Sequence, residues 1–386
     1  MSDNVYVLGA ARTPIGSFQG VLASLSAPDL GAHAMSAALN QSGLAVDSVN
    51  EVIMGNVISA GLKQAPARQA MRNAGLPDSC HALTVNKVCG SGMKATMLGH
   101  DLIRSGSADV VITGGMESMT NAPYLLTKAR AGQRMGHGQM FDSMFTDGLE
   151  DAETGGAMGA FAQSTADDYQ LTREAMDAYA IQSLERARAA MTGGQLADEI
   201  AAMDVAGGTV AEDEQPGRAK VEKIPTLRPA FKADGTITAA NSSSISDGAS
   251  ALVLGGDSAG NGGTPMARIV GHSTHSQHPS EFTIAPVGAI GKLLAKLGWT
   301  ADDVDLFEIN EAFAMVTMLA ISELKLDPER VNIYGGACAQ GHPIGSTGSR
   351  LIVTLAHAMQ RLDLKRGVAA LCIGGGEATA IALSRE

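Results

Sequence analysis

The sequence predicts an α/β fold in which helices cover buried β-sheets. Short apolar segments rich in β-branched residues alternate with stretches of helical periodicity, and glycine bounds many of them; strand candidates include residues 52–54, 110–112 and 369–372. The 386 residues are enough for two or three domains or for one large duplicated core. Glycine is frequent (46 residues) and only 4% of the residues are aromatic, which suits close packing of helices on sheets.

Two helices can be placed from the signals at their ends. Apolar residues at i, i+4 spacing predict a helix from Ser91 to about Arg104, and Gly106 follows as a stop signal. A second helix is predicted to begin after Thr172, which can act as its N-cap, and to run to about Met191.

A pattern near residue 110 recurs near residue 370. Residues 110–117 and 370–377 each read as a strand that ends in a glycine pair followed by glutamate, and each follows a helix that begins at a glycine-rich turn. The recurrence favours an internal duplication, although chance similarity of two α/β turns would look the same.

The stretch from 121 to 241 differs from the rest of the chain. It carries methionine clusters, charges, glycine pairs and a turn-rich segment at 214–218, which is typical of an inserted loop domain. Residues 260–263, Gly-Asn-Gly-Gly, predict a linker or tight turn.

Charge and cysteine content narrow the function classes. A net charge of −12 argues against a general nucleic-acid or anionic-membrane surface, although a local basic patch can still bind an anionic substrate. Four cysteines in a chain of this length indicate reduced thiols rather than a disulfide framework. The chain shows no basic, apolar leader and no apolar run near ~18 residues, so we expect a cytoplasmic protein.

Cys89 is the first candidate nucleophile. It lies in the glycine-rich turn VCGSGM (88–93), just before the first predicted helix. A thiol there faces the positive end of the helix dipole and free N–H groups, so we expect a lowered pKa that favours thiolate. A buried, inert cysteine is the more common fate, but Gly90 and Gly92 would let a substrate approach the backbone closely.

Three further candidates lie toward the C-terminal end. His342, in GHPIG (341–345), can act as the base for a thiol at neutral pH. Cys372 could exchange a proton with a carbon acid, and the N–H of Gly374 could help to form an oxyanion hole. Asn310 follows a strand-like segment and could hold a water or a carbonyl oxygen. Purely structural roles for these residues remain open at this point, including a helix N-cap for Asn310.

Taken together, these motifs resemble the thiolase family over essentially the whole chain. Single matches would be weak, but the ordered set is specific. The matching segments are ARTPIG (11–16), NKVCGSG (86–92), GGMESM (114–119), LRPAF (227–231), NEAF (310–313), GGA (335–337), GHPIG (341–345) and CIGGG (372–376).

The resemblance implies a five-layer αβαβα fold built from two similar halves, with an inserted loop domain. The N-terminal half would span residues 1–120 and continue over about 242–266. The loop domain would span 121–241 and cover the coenzyme A (CoA) site, and the C-terminal half would span 267–386. Family members are usually homodimers or homotetramers.

The resemblance also implies the chemistry, which is reversible acetyl-CoA C-acetyltransferase activity with no metal and no permanently bound cofactor. Cys89 would carry the acyl group, and His342 would activate it and later CoA. Cys372 would be the acid and base at the α-carbon of acetyl-CoA. Asn310, through a water, would stabilise the enolate together with His342. The N–H groups of Cys89 and Gly374 would hold the tetrahedral oxyanion.

The family pattern places the CoA contacts less firmly. Ser243 would contact the pantetheine arm and Arg218 the nucleotide end, while Phe282 and Phe313 would line a short acyl pocket. Many members have histidine before the Met-Gly pair that contains Met158, where this chain has Ala157, so one hydrogen bond to pantetheine is missing or made by water.

Four other functions compete with this interpretation. A 3-ketoacyl-CoA thiolase of fatty-acid β-oxidation with broad chain-length range would keep the mechanism. A decarboxylating condensing enzyme shares the fold but resembles a Cys-His-His site, whereas Asn310 and Cys372 stand at the other positions here. A cysteine hydrolase would not need Cys372, and a CoA or lipid carrier would not need Cys89.

Overall fold

The computed structural model describes residues 4–260 and 264–386. Its strands are β1 Tyr6–Arg12, β2 Gly16–Ser17, β3 Glu51–Gly55, β4 His81–Val85, β5 Val110–Ser118, β6 Tyr124–Leu125, β7 Phe141–Asp142, β8 Met203–Val205, β9 Gly208–Val210, β10 Ser246–Gly255, β11 Ala267–Ser276, β12 Leu306–Ile309, β13 Arg366–Ile373 and β14 Glu377–Ser384. Its α-helices are α1 Ala27–Ser42, α2 Pro66–Asn73, α3 Ser91–Ser105, α4 Met158–Asp168, α5 Arg173–Thr192, α6 Glu214–Arg218, α7 Asp257–Gly260, α8 Ala285–Leu297, α9 Ala314–Leu324, α10 Ala337–Gln340 and α11 Ile344–Arg361.

Nine strands follow one another in the order β12-β13-β14-β11-β1-β10-β5-β3-β4, and β2 pairs with β10. The path consists of two parts, β4 to β1 and β11 to β12. They are joined where Tyr6 and Val7 of β1 pair with Arg268 and Ala267 of β11. In the first part β4, β3 and β5 are parallel and adjoin antiparallel β10 and β1, and in the second β12 and β13 are parallel and adjoin antiparallel β14 and β11. The order and directions of β1-β10-β5-β3 therefore match those of β11-β14-β13-β12, and within the described residues the first part has β4 in addition.

Helices on both sides of these sheets complete five layers. Helices α1 and α2 cover the outer face of the first sheet, and α8 and α9 cover that of the second. Helices α3 and α11 pack against each other between the sheets, and α11 contacts β5 and β10 on one side and β12 and β13 on the other. The central cluster of buried apolar residues lies around these two helices. The predicted αβαβα fold is thus confirmed.

The two copies of the recurring sequence pattern lie on strands β5 and β13. The glycine pair, however, does not stand at the same place in the two strands. Strand β5 continues through its glycine pair to Ser118, whereas β13 ends at Ile373 and the chain turns at Gly374. The prediction that both strands end at the glycine pair is therefore wrong for β5. Gly375 and Gly376, at φ +89° and +86°, make the turn after β13 in a backbone region that favours glycine.

The strand pairing gives the true correspondence between the halves. In the N-terminal half Gly55 pairs with Gly115, and in the C-terminal half Ile309 pairs with Ala370. An asparagine follows the first residue of each pair: Asn56 in one half and Asn310 in the other. Two residues beyond each partner stand Glu117 and Cys372. The candidate acid–base thiol thus occupies the position that a buried carboxylate holds in the other half.

Both predicted helices are confirmed, because their end signals are local. Gly106 adopts the left-handed conformation that ends α3, and the Thr172 side chain accepts a hydrogen bond from Ala175 N–H at the start of α5. Of the predicted linker at 260–263, residues 261–263 lie outside the described residues. None of the helices in the described ranges has both the length and the apolar character needed to cross a bilayer.

Candidate active site

Cys89 is presented by a strained turn between β4 and α3. Val88 adopts φ +46°, a left-handed conformation that is a genuine outlier for a β-branched residue. The Ser91 hydroxyl braces the turn, since it accepts from Lys87 N–H at 2.8 Å and donates to the Val88 carbonyl at 2.6 Å. The backbone strain therefore fixes the thiol just before the first turn of α3.

The glycine turn after β13 faces this thiol. The backbone N–H groups of Gly374 and of Cys89 itself lie close enough to the Cys89 sulfur to lower the pKa of its thiol. An ion pair between Lys87 and Glu377 ties the turn before Cys89 to the residue that follows the glycines. An oxyanion hole holds the carbonyl oxygen of an acyl group rather than the sulfur, and two N–H donors beside this thiol are candidates to hold that oxygen.

His342 precedes α11 and is only 6% exposed. Its Nδ1 lies 2.6 Å from the Thr347 hydroxyl, which in turn donates to the Pro343 carbonyl at 3.0 Å. The hydroxyl must then accept from the ring, which assigns the proton to Nδ1 and makes Nε2 the acceptor of the ring. The Asn310 amide nitrogen lies 3.5 Å from that Nε2. This tautomer equips His342 to take a proton from a thiol.

The structure contradicts the expectation that the helix dipole lowers the pKa of Cys89. Burial raises the pKa of this thiol to about 11 and outweighs the two N–H groups, and the Glu117 carboxylate adds to the increase. Burial, together with the Arg350 guanidinium, lowers the pKa of His342 to about 3. At neutral pH the resting site is therefore a thiol beside a neutral imidazole, not a thiolate–imidazolium pair.

Cys372 is fully buried at the end of β13. Burial raises the pKa of its thiol well above the usual value, and the neighbouring Cys89 adds to the increase. The two thiols are thus close enough to interact electrostatically. A protonated thiol beside the nucleophile is suited to deliver a proton to a carbanion formed there.

A cavity of about 250 Å³ opens at these residues. Its lining includes eight of the residues singled out from the sequence and their neighbours: Cys89, His342, Gly374, Ser243, Met158, Ala157, Phe282 and Phe313. Asn310 and Cys372 are buried behind it. Phe313 meets Phe231 and Phe282 edge-to-face, with ring centroids 6.2 and 6.4 Å apart, so that three rings narrow the space.

Comparison with known proteins now identifies the family. Residues 5–258 match the thiolase N-terminal domain and residues 263–385 the thiolase C-terminal domain. The chain belongs to the thiolase family.

Full-length thiolase relatives agree with this assignment. The chain is 46% identical to an acetyl-CoA acetyltransferase of Pseudomonas aeruginosa and 45% identical to one of Saccharomyces cerevisiae, with 100% of both chains covered in each case. It also matches the crystal structure of Acat5 thiolase from Ascaris suum in complex with coenzyme A, at 42% identity and a TM-score of 0.95, over 100% of both chains.

Arg218 is the one candidate CoA contact that lies outside the thiolase cavity. Its side chain is 64% exposed and pairs with Glu214 at 2.6 Å. It borders a separate recess of about 500 Å³ that shares Ile245 with the cavity, and Ser244 also lines this recess. The recess therefore adjoins the cavity, and Arg218 stands at its outer side.

Glu117 is a thiolase site residue that sequence reasoning missed. It is fully buried and accepts hydrogen bonds from the N–H groups of Val57, Ile58 and Gly345 at 3.0, 3.2 and 2.9 Å. It thereby anchors the start of α11, next to His342. The sequence signals were its place in the GGMESM segment and at the end of the recurring pattern of residues 110–117, and neither indicated a partner 228 residues away.

Proposed function

We propose that this thiolase is an acetyl-CoA C-acetyltransferase. It cleaves acetoacetyl-CoA with CoA to give two molecules of acetyl-CoA, or runs the Claisen condensation in reverse. The observation that carries the proposal is the Cys89 thiol, which lies beneath two N–H donors, in one cavity with His342 and beside the second thiol of Cys372. The names of the full-length relatives support the same activity.

In the first half-reaction His342 Nε2 takes the proton of Cys89, and the sulfur attacks the 3-keto carbon of acetoacetyl-CoA. The N–H groups of Cys89 and Gly374 hold the oxyanion that forms. When the oxyanion collapses, the C2–C3 bond breaks and its electron pair leaves as the enolate of acetyl-CoA. Cys372 protonates the α-carbon of this enolate, and an acetyl thioester remains on Cys89.

The second half-reaction transfers the acetyl group to CoA. His342 first returns its proton to the Cys372 thiolate. It then takes the proton of the CoA thiol, whose sulfur attacks the acetyl-Cys89 carbonyl within the same oxyanion hole. Cys89 leaves as thiolate and receives the proton from His342, which restores the starting state. In the condensation direction Cys372 removes the α-proton, and the enolate oxygen is held by His342 and by Asn310 through a water.

Phe231, Phe282 and Phe313 support a preference for short acyl groups, because rigid rings narrow the cavity near Cys89. CoA would lie along Met158 and Ser243 and run over Ile245 toward Arg218. CoA and acyl-CoA act as substrates, and no cofactor remains bound. Ala157 lines the cavity without a polar side chain, so water would serve the pantetheine arm there.

We extend the proposal to the organisation of the protein. The halves span 1–120, continued by about 242–266, and 267–386, with 121–241 as the loop domain over CoA. Pairing of β10 with β1 and β5 supports the return to the N-terminal half after residue 241. The protein is a homodimer or homotetramer in the cytoplasm and binds neither nucleic acid nor membranes.

The direct test compares CoA-dependent cleavage of acetoacetyl-CoA with that of a ~C8–C10 3-ketoacyl-CoA. A strong preference for acetoacetyl-CoA supports the proposal. Equal or better turnover of the long substrate would replace it with a broad β-oxidation thiolase, and turnover of neither would reject both. Replacing Phe282 by Ala should raise the relative rate with the longer substrate, while the same change at exposed Phe18 serves as the control.

A further inference from the structure

Behind His342 and Asn310 lies a buried ion pair with unusual hydrogen bonding. Arg350 of α11 and Glu308 of β12 are 2% and 0% exposed, and their nearest charged atoms are 3.7 Å apart, beyond hydrogen-bond distance. Among the residues that the structure describes, no side chain or backbone group forms a hydrogen bond with the three guanidinium nitrogens of Arg350 or with either carboxylate oxygen of Glu308. Buried polar atoms left in this state are costly, and ordered water normally satisfies them.

More unpartnered atoms belong to the same region. Within the described ranges, Glu199 Oε2 and the Tyr334 hydroxyl also find no protein partner. The other oxygen of Glu199 accepts from Thr354 at 3.0 Å, one helical turn beyond Arg350, and the Tyr334 phenol interacts electrostatically with Glu199 and Glu308. These seven buried atoms, from Arg350, Glu308, Glu199 and Tyr334, define what we call the polar chamber, and ordered water is the partner that such buried atoms normally take.

Two facing rows of side chains connect this chamber to the active site. Along α11, Thr347, Arg350 and Thr354 share one face because they are spaced by three and four residues. Thr347 binds the His342 ring at one end of the row, and Thr354 binds Glu199 at the other. On β12, Glu308 and Asn310 point to the same side because they are two residues apart, and the Asn310 amide oxygen is another buried atom with no partner in the described structure.

We propose that Arg350 and Glu308 bind ordered water in this chamber, and that Arg350 is a positioning residue that keeps His342 and Cys89 uncharged in the free enzyme. The proposal rests on the function given above. A guanidinium that is not fully neutralised by a direct carboxylate contact opposes a second positive charge on the nearby imidazole. His342 then accepts a proton only when Cys89 is attacking a carbonyl carbon, and no stable thiolate is exposed to other electrophiles.

The charged groups around the pair come from several elements. Arg350 faces Glu308, Glu199, Glu311 and Arg12, and Glu308 also faces Arg186. Burial raises the pKa of Glu308 to about 8, so that this group is mostly protonated at neutral pH and compensates Arg350 incompletely there. Arg12 is held separately by Glu199 and Asp213 at 2.6 and 2.7 Å. Arg350 is therefore the cation of this group whose charge is least neutralised.

The test measures the rate at which iodoacetamide alkylates Cys89 as a function of pH, which requires no turnover. In Arg350→Met the imidazolium is no longer opposed, so the thiolate–imidazolium pair forms more readily. We expect alkylation near pH 7 to become about tenfold faster, equivalent to a shift of about one pH unit. Arg350→Lys, which keeps the charge, should restore the wild-type rate. Gln360→Ala, a neutral change at an exposed position of the same helix, should leave the rate unchanged.

Glu308→Gln should change the alkylation rate in the opposite direction to Arg350→Met. It therefore also tests the proposal if Arg350→Met does not fold. It removes a carboxylate that is charged mainly above pH 8, so in that pH range alkylation should become slower than in the wild type. Equal rates in folded wild type, Arg350→Met and Glu308→Gln would overturn the role of Arg350, whether or not the enzyme cleaves acetoacetyl-CoA. A high-resolution crystal structure should show waters between Arg350 and Glu308, and a direct, dry contact would overturn the chamber.

Discussion

At the scale of single residues, burial keeps the candidate catalytic groups in their neutral forms. The pKa of Cys89 is raised to about 11 and that of His342 lowered to about 3, in both cases chiefly by burial. The sequence suggested a lowered pKa for Cys89, but burial outweighs the N–H groups near the thiol. In the proposed mechanism, proton transfer therefore accompanies attack on the substrate, and the two N–H donors stabilise the charge once it has moved to oxygen.

Cys372 and Cys89 should be separable by substitution. Cys372→Ala should still accept an acetyl group from acetyl-CoA, because Cys89, His342 and the N–H of Gly374 remain. It should no longer exchange the α-protons of acetyl-CoA with deuterium from the solvent, which NMR can follow. Wild-type exchange in this variant would mean that another base acts at the α-carbon.

At the scale of elements, local signals predicted local structure and missed the contacts between distant segments. Gly106 and Thr172 mark helix ends because a stop residue and a cap act within a few positions. The sequence could not show that β5 passes through its glycine pair, since this depends on pairing with β3 and β10. The ion pair of Lys87 with Glu377 joins residues 290 positions apart and was equally out of reach.

The glycine turn after β13 offers a matched pair of substitutions. An added Cβ at Gly375 meets nothing within 4 Å, whereas one at Gly376 would lie 2.3 Å from the Gln277 carbonyl oxygen. Gly375→Ala should therefore lower the unfolding free energy only by the cost of holding alanine in a left-handed conformation, about 1–2 kcal/mol. Gly376→Ala should cost more and also lower the rate of Cys89 acylation, because the turn carries Gly374.

Denaturant unfolding and acetyl transfer measured side by side would check this prediction. Equal losses of stability in the two variants would show that the close approach to Gln277 is not a constraint on the turn. Wild-type acylation in a clearly destabilised Gly376→Ala variant would argue that Gly374 needs no exact placement.

At the scale of the whole molecule, the two similar halves explain why the candidate site has residues from both halves of the chain. Each half supplies a central helix and the strands that flank it, and the site forms where α3 and α11 meet between the sheets. The halves differ at corresponding positions, where Glu117 anchors α11 in one half and Cys372 is a buried thiol in the other. The motifs predicted residues that the structure brings together at the cavity, but the contacts of Glu117 and Arg350 arise only through packing between distant segments, which no local pattern records.

Burial of neutral His342 between the sheets should make global stability depend on pH. The folded pKa of about 3 lies below the unfolded value of about 6.5, so the unfolded chain binds the extra proton between these limits. The contribution is retained above pH 6.5 and lost as the pH falls toward 3. When the pH is lowered from 7.5 to 5.5, the unfolding free energy of the wild type should fall by about 1.4 kcal/mol more than that of His342→Asn. Equal losses in urea titrations would contradict burial of the neutral ring.

The most direct test of the central claim is to locate the acyl group. The enzyme is incubated with acetoacetyl-CoA in the absence of free CoA, quenched in acid and digested, and the peptides are analysed by mass spectrometry. The account predicts one acetyl group on Cys89, its removal when CoA is added, and its absence in Cys89→Ala. An acetyl group on Cys372 instead, or cleavage of acetoacetyl-CoA by Cys89→Ala at the wild-type rate, would contradict it.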